Sequence, residues 1–186
     1  PVAVSHGARA ALRDATATQH ARVDSAFPEG LSTPQAYAGY LRGMHRFALD
    51  FERATGRAPR QSRWLAHDLD ALGLMPIAGA WSSPAPLVDD DAATGWEYVM
   101  AGSSLGARYL VRAVRRLGHS GERGARFLER HGASEDWREV QHRLSAVDTA
   151  DAARLARMID GARDAFTHVA ACLARGADPA DKEHVL

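Results

Sequence analysis

Apolar residues recur three and four positions apart along almost the whole chain, and no run of β-branched residues alternates with polar ones. This spacing places apolar side chains along one face of an α-helix, whereas a half-buried strand needs a period of two. Ala, Arg and Leu, which are strong helix formers, are abundant. The pattern therefore predicts an all-α fold, in which six or seven helices pack into a compact bundle.

The length of the chain fits one domain. Its 186 residues are enough for a sizeable core, and 46% of them are hydrophobic. No repeat of fixed period and no long low-complexity segment divides the sequence. We therefore expect a single helical domain over residues 1–186, with a frayed tail at 176–186.

Composition and charge exclude several classes of protein. The formal net charge is zero, so the overall basic field of a nucleic-acid-binding protein is missing. There is no run of about 18 apolar residues of the kind that forms a transmembrane helix, and the N-terminal sequence does not resemble a secretory signal. The one cysteine, Cys172, cannot form an internal disulfide. These features predict a cytoplasmic protein without nucleic-acid or membrane partners.

Helix boundaries follow from capping residues, glycines and prolines. Ser32 or Thr33, followed by Pro34, predicts the start of a helix that Gly56 ends. Asp89–Asp91 favour the start of another helix, because carboxylates stabilise a helix N-terminus. The predicted helices cover about 6–26, 34–56, 59–73, 92–117, 120–131, 134–146 and 149–175.

His20 lies in the first predicted helix among a distinctive set of neighbours. Ala17 and Thr16 precede it on the same face and leave room for a bulky planar group. Asp24, one turn later, could hold the second imidazole nitrogen, as the partners of metal-ligating histidines do. Arg13, two turns earlier, could pair with an anionic group of the same ligand. A single helical histidine is more often a surface or core residue, so the spacing by itself favours a ligand only modestly.

Two glycines interrupt a segment that otherwise has the pattern of a long helix, YVMAGSSLGARYL at 98–110. Gly102 and Gly106 are four residues apart, so they lie on one face, and each costs a helix about 1 kcal/mol relative to Ala. The missing side chains would let a ligand approach the backbone and would permit a kink, with the hydroxyls of Ser103 and Ser104 beside the opening. A close crossing with another helix explains the same pair, and the spacing by itself favours that alternative.

Together, His20 and the glycine pair suggest two walls around a flat cofactor such as haem, with one axial histidine and an open face for oxygen. The same residues resemble the haem oxygenase family. LRDATATQH at 12–20, with Val23 and Asp24 after it, is similar to the family's helix with the haem-ligating histidine. The glycine segment resembles the distal helix, and MIDGARDAF at 158–166 resembles the last long helix. The motif-bearing part of the domain covers about residues 8–175.

The resemblance implies an enzyme that opens haem to biliverdin and releases iron and carbon monoxide, consuming O2 and reducing electrons. Haem would be both substrate and cofactor. The implied electron donor is a ferredoxin or a flavin reductase, and a bacteriophytochrome could receive the biliverdin. A haem-binding carrier or sensor without turnover stays open as an alternative, as does a helical interaction domain without a cofactor.

The same resemblance implies the site residues. His20 would ligate iron and Asp24 would hold its ring, while Gly102, Ser103 and Gly106 would form the distal wall. Animal members of the family carry an Asp at the position of Ser103, whereas small bacterial members, including those associated with bacteriophytochromes, have Gly-Ser and then Leu-Gly as here. Ordered water near Ser103 would then deliver protons. The further residues implied at the haem or its propionates are Arg13, Thr16, Ala17, Tyr98, Arg138 or Arg143, and Phe166.

A basic stretch follows the second glycine. It consists of Arg108, Arg112, Arg115 and Arg116. A solvated helix face is the simplest interpretation, and a docking surface for an acidic ferredoxin is the alternative.

Overall fold

The computed structural model describes residues 7–78 and 82–178, and over this part the protein is all-α, as predicted. The described residues form eight helices rather than the six or seven expected. They are α1 (Ala8–Ala15), α2 (Ala17–Asp24), α3 (Pro34–Thr55), α4 (Gln61–Ala71), α5 (Asp90–Arg116), α6 (Arg126–Gly132), α7 (Asp136–Ser145) and α8 (Ala152–Ala177). Of the tail expected at 176–186, residues 179–186 lie outside the described part.

The caps of α3 and α5 confirm the signals read from the sequence. The Thr33 hydroxyl accepts a hydrogen bond of 3.1 Å from the Ala36 backbone N–H, and Gly56 ends α3 with φ 66°. The Asp89 carboxylate likewise accepts bonds of 2.8 and 3.1 Å from the first turn of α5. The helix then continues without interruption to Arg116, so the glycine pair does not break it.

The prediction of one helix over about residues 6–26 is wrong in one respect, because the structure has two helices there. Thr16 leaves helical geometry at φ −113° and ψ 6°, which ends α1 before it and lets α2 begin after it. The buried Thr16 hydroxyl donates 2.7 Å to the carbonyl of Leu12, a local bond that competes with helix continuation. On the α1 side of the break, Arg163 of α8 donates a hydrogen bond of 3.2 Å to the carbonyl of Ala15. The apolar spacing passes through this break and does not reveal it.

Helix α6 begins at Arg126 rather than near residue 120, because a side chain from elsewhere caps it. The carboxylate of Asp68, buried on α4, accepts hydrogen bonds of 2.8 Å from the backbone N–H groups of both Arg126 and Phe127. The residues before it form a turn in which Ser120 and Arg123 bond to each other. Helix α4 itself begins two residues after the predicted Pro59.

Glycines let α8 pack closely against α5 in the centre of the bundle. A Cβ atom on Gly95 of α5 would lie 2.2 Å from the carbonyl oxygen of Met158, and one on Gly161 of α8 would lie 2.3 Å from that of Ala92. Real Cβ atoms do not approach backbone this closely, so both positions require glycine. Gly43 of α3 meets α8 in the same way. These crossings put α8 against α5 and α3, and α8 also packs against α2, which carries His20.

No helix within residues 7–78 and 82–178 combines the length and the apolar character that crossing a membrane requires.

Candidate functional site

His20 lies on α2 with its side chain 61% exposed, and its Nδ1 atom is 3.0 Å from a carboxylate oxygen of Asp24. The contact predicted from the four-residue spacing is therefore present. An Nδ1–H that donates to the carboxylate leaves the lone pair of a neutral imidazole on Nε2. This is the tautomer and orientation that a metal-ligating histidine needs.

The residues that surround His20 come from α8 and from the start of α2. The ring of Phe166, 7% exposed, contacts the imidazole edge-on at a centroid distance of 5.6 Å. Thr16 is buried, and its backbone carbonyl accepts a bond of 2.9 Å from the His20 N–H. Ala17 is exposed on the first turn of α2. The aromatic and the two small residues implied near His20 thus lie around it.

The two glycines of α5 differ in their surroundings. A Cβ atom on Gly102 would meet the ring of Trp137 at 3.6 Å, an ordinary contact, whereas one on Gly106 would meet nothing within 4 Å. Leu105 and Tyr109, on the same side of the helix, are 39% and 72% exposed. A close helix crossing therefore does not explain Gly106. The pair forms one open, partly apolar face, which we call the glycine face, defined by Gly102, Leu105, Gly106 and Tyr109.

Tyr98 joins this face to the helix of His20. It lies one turn before Gly102 on α5, is buried, and packs against Trp137 with ring centroids 5.6 Å apart. Burial raises the pKa of its hydroxyl, while the charge of Arg13 and a hydrogen bond with Thr16 act in the opposite direction. The Tyr98 hydroxyl thus faces the break between α1 and α2, and the two halves of the site extend from this contact.

Ser103 turns away from the glycine face toward α6. Its hydroxyl donates 2.7 Å to the carbonyl of Met100 and lies 2.8 Å from Nε2 of His131. That histidine is fully buried, stacks on Phe127 at 4.9 Å, and has its Nε2 3.1 Å from the same Met100 carbonyl. Burial lowers the pKa of His131 to about 4, so the ring is neutral near pH 7. Sequence reasoning missed His131, because no spacing relates it to Ser103.

Two of the arginines expected at anionic groups of a ligand stay near the site. Arg13 lies in the last turn of α1 near Tyr98, and its guanidinium lies 2.9 Å from Asp14. Arg138 follows Trp137 on α7, is 82% exposed and pairs with Glu135. Both side chains are long and exposed, so either could exchange its neighbouring carboxylate for one on a ligand.

Arg143, the alternative to Arg138, lies in a different part of the bundle from the glycine face. Arg143 pairs with Glu97, which also pairs with Arg57, and all three line a cavity of about 280 Å³. Since Glu97 is five residues before Gly102, it projects roughly 140° around the axis of α5 from the glycine face. Arg143 therefore does not join the site around His20.

The basic stretch after Gly106 is only partly a solvated face. Arg108 donates 2.7 Å to a backbone carbonyl of α6, and Arg115 pairs with Glu129 of the same helix at 3.0 Å. Arg112 lies over the ring of Tyr109 at 6.0 Å. Two of the four arginines thus fasten α5 to α6, and Arg112 remains at the edge of the glycine face.

These residues fit the haem that the sequence resemblance implies. A haem requires one axial imidazole and walls that accept a flat, largely apolar ring. His20 offers Nε2 of an oriented imidazole, Phe166 offers an aromatic surface, and a Cβ atom at Gly106 would occupy open space. The donor set and the missing side chains agree with this ligand.

Comparison with known proteins gives a relative and a solved structure. No protein-family model matches the chain. A curated protein named haem oxygenase, from Xanthomonas campestris pv. campestris (strain 8004), is 32% identical over 168 residues, which cover 83% of this chain and 98% of the relative. The NO- and CO-bound haem oxygenase from Neisseria meningitidis has the same fold, with a TM-score of 0.74, 24% identity and 93% of each chain covered.

Proposed function

The chain belongs to the haem oxygenase family, and on that premise we propose that it opens haem to biliverdin and releases iron and carbon monoxide. Haem oxygenases use haem as both substrate and cofactor. Bound haem supplies the iron at which O2 reacts and the ring that is oxidised. The observation that carries the proposal for this chain is the His20–Asp24 pair, with Nδ1 held at 3.0 Å on an exposed helix face.

In this proposal His20 holds the iron through Nε2, and Asp24 fixes the ring. The carboxylate accepts a hydrogen bond from Nδ1–H, which selects the tautomer and increases the basicity of the ligand. Phe166 limits rotation of the imidazole from below, because its ring lies edge-on at 5.6 Å. His20, Asp24 and Phe166 would together hold one neutral, oriented imidazole for the haem iron.

The glycine face is proposed as the opposite wall. Without side chains at Gly102 and Gly106, a flat ligand can lie directly on the backbone of α5. Such close approach excludes bulk water from the reacting side and limits the directions in which O2 can lie. Leu105 and Tyr109 would then cover apolar edges of the ring, which accounts for large exposed side chains on this face.

Protons are proposed to reach the site through water rather than from a carboxylic acid. Ser103 stands where animal members of the family carry Asp, and its hydroxyl donates to the Met100 carbonyl. With the hydrogen of His131 on Nε2, that ring donates to Met100 or Ser103 and stays neutral. Ordered water held by Ser103 and by backbone carbonyls near Gly102 is the proposed proton source, while His131 keeps the Met100 carbonyl bonded.

Binding of the propionates and delivery of electrons complete the proposal. Arg13, in the last turn of α1 just before the helix of His20, and the exposed Arg138 are the proposed propionate partners. The proposed electron donor is a ferredoxin or a flavin reductase, and Arg112 at the edge of the glycine face supports docking of an acidic one. A bacteriophytochrome is proposed as one receiver of the biliverdin.

Haem titration followed by turnover tests the proposal. Purified protein is mixed with hemin and then given ascorbate, or a ferredoxin with its reductase, in air. We expect a Soret band that decays as the spectrum of biliverdin appears. A protein that forms no Soret band would exclude both an oxygenase and a haem carrier. A stable Soret band without biliverdin would instead identify the carrier or sensor.

The His20→Ala variant tests the proposed ligand in the same experiment. Removal of the imidazole should shift or abolish the Soret band, and addition of free imidazole should restore part of it. Arg130→Ala serves as the control, because Arg130 is an exposed arginine of α6 and has no role in the proposed haem site. An unchanged spectrum in His20→Ala would show that another residue ligates the iron.

A further inference from the structure

A second cluster of potential metal ligands lies between α3 and α8. It consists of Asp50 from α3 and His168 and Cys172 from α8, and one ligand atom from each lies within 4.8 Å of the other two. We propose that these three residues bind a divalent transition-metal ion with the ligand preferences of Zn²⁺, at a site separate from the haem.

The three donors are of the types that zinc prefers. Carboxylate oxygen, imidazole nitrogen and thiolate sulfur are the usual protein ligands of Zn²⁺, and three of them leave one position for water. His168 and Cys172 are four residues apart, so they project from the same face of α8. Asp50 projects from the helix packed against that face, and both Asp50 and Cys172 are buried.

The surroundings of Asp50 resemble those of a metal-ligating carboxylate. Arg46 donates 3.0 Å from Nε to one carboxylate oxygen and pairs with the other through its terminal nitrogen, which also bonds to Ser83. Burial disfavours the charged carboxylate, but hydrogen bonds from His168 and Arg46 outweigh it and hold the pKa of Asp50 well below its usual value. Arg46 is thus already in place as the outer partner that a metal-ligating carboxylate requires.

The imidazole of His168 faces the same carboxylate and has an apolar surround. Its Nε2 lies 2.8 Å from Asp50 Oδ2, and the rings of Trp96 and Phe47 lie 5.7 and 6.3 Å from the imidazole centroid. A metal between Nε2 and Oδ2 would replace this hydrogen bond and share Oδ2 with Nε of Arg46, while the terminal nitrogen of Arg46 would remain on Oδ1. Aromatic rings around the site restrict water and strengthen the ligand bonds.

Cys172 changes its protonation when the metal binds. Burial raises the pKa of this thiol to about 12, so it carries its proton at neutral pH. Binding therefore forms a metal–sulfur bond and releases the thiol proton to solvent. The dipositive ion pairs with the thiolate that forms, which removes the cost of a lone buried thiolate.

Metal binding is measured directly on the full chain without an affinity tag. Haem-free protein is dialysed against zinc chloride at micromolar concentration, and bound metal is determined by mass spectrometry. We expect one zinc per chain and a higher Tm in its presence, because an ion that binds only the folded state stabilises it. Cobalt in place of zinc should give a thiolate-to-cobalt charge-transfer band.

Variants assign the ligands. Cys172→Ser should abolish the charge-transfer band and weaken zinc binding at least tenfold, and His168→Asn should weaken it similarly. His20→Ala is the matched control, since its pair with Asp24 is the exposed alternative site, and it should keep the zinc. Absence of bound zinc, or equal binding by Cys172→Ser, would overturn the proposal, as would loss of zinc in His20→Ala. If His168→Asn does not fold, the cobalt band of Cys172→Ser decides the question by itself.

Discussion

The guanidinium of Arg163 on α8 donates a hydrogen bond of 3.2 Å to the backbone carbonyl of Ala15, the last residue of α1. The contact joins residues 148 positions apart and lies at the break that precedes the helix of His20. Phe166, one turn further along α8, contacts the imidazole itself. Helix α8 therefore contacts both the end of α1, just before the break, and the imidazole that α2 presents.

The first prediction concerns this bond. Arg163→Ala should leave the fold intact, because the side chain is about half exposed, but should let α2 move relative to α8. A lost hydrogen bond of about 1 kcal/mol corresponds to roughly fivefold weaker haem binding. Hemin titration by absorbance measures it, with Arg130→Ala as the control. Unchanged haem affinity together with an unchanged Soret spectrum would show that the bond does not position His20.

The second prediction concerns Asp24. Asp24→Ala removes the partner of Nδ1, so the imidazole of His20 can rotate and becomes a weaker donor. Loss of such a partner typically costs about 10- to 100-fold in metal affinity. The iron–histidine stretching frequency of the ferrous protein, measured by resonance Raman spectroscopy, should fall as well. Thermal stability should change little, since both side chains of the pair are mostly exposed. A variant with lower stability but an unaltered stretching frequency would mean that Asp24 serves folding only.

The third prediction compares Gly106, where an added Cβ atom would meet nothing, with Gly95, where it would meet the backbone of α8. Gly106→Ala should stabilise the haem-free protein by about 0.5–1 kcal/mol, because the added methyl group meets nothing and helix propensity improves. Gly106→Leu should fold equally well yet bind hemin at least tenfold more weakly, about 1.4 kcal/mol. Urea unfolding and hemin titration give the two quantities.

Gly95→Ala is the control for this series. Its Cβ atom would lie 2.2 Å from the Met158 carbonyl, so the variant should lose stability or fail to fold. If Gly106→Leu also unfolded the protein, or bound hemin normally, the glycine face would not be a ligand wall.

The fourth prediction concerns the buried His131. Its pKa is lowered to about 4 by burial, compared with about 6.5 in the unfolded chain. The unfolded state therefore binds more protons between these values, and stability rises with pH from about 4 to 6.5 and is constant above. The full effect is about 3 kcal/mol. Urea unfolding at pH 5 and pH 7 should show a smaller pH difference in His131→Gln than in the native chain. Equal differences would show that other groups cause the pH dependence.

Local features of the fold and site were predictable from the sequence. The helical class follows from the spacing of apolar residues, and the caps at Thr33 and Asp89 follow from residues that bond within their own first turn. The His20–Asp24 contact belongs to the same group, because four residues in one helix set the distance between two side chains. In each case the physical determinant lies within a few positions along the chain.

Other features depend on residues that only the tertiary structure brings together. The break at Thr16 is held by Arg163, the start of α6 is capped by Asp68, and Ser103 bonds to His131. No sequence spacing encodes these contacts, since each depends on how separate helices cross.

The glycines show the difference most clearly. From the sequence, Gly95, Gly102, Gly106 and Gly161 are four interior glycines with the same cost to a helix, and the spacing of the pair at 102 and 106 by itself favours a crossing over a ligand wall. The structure puts the crossing at Gly95 and Gly161, where backbone of the opposing helix fills the place of a Cβ atom, and leaves Gly106 open. Whether a glycine serves helix packing or leaves room for a ligand depends on what occupies the place of its missing Cβ atom, and only the packing of α8 on α5 decides that.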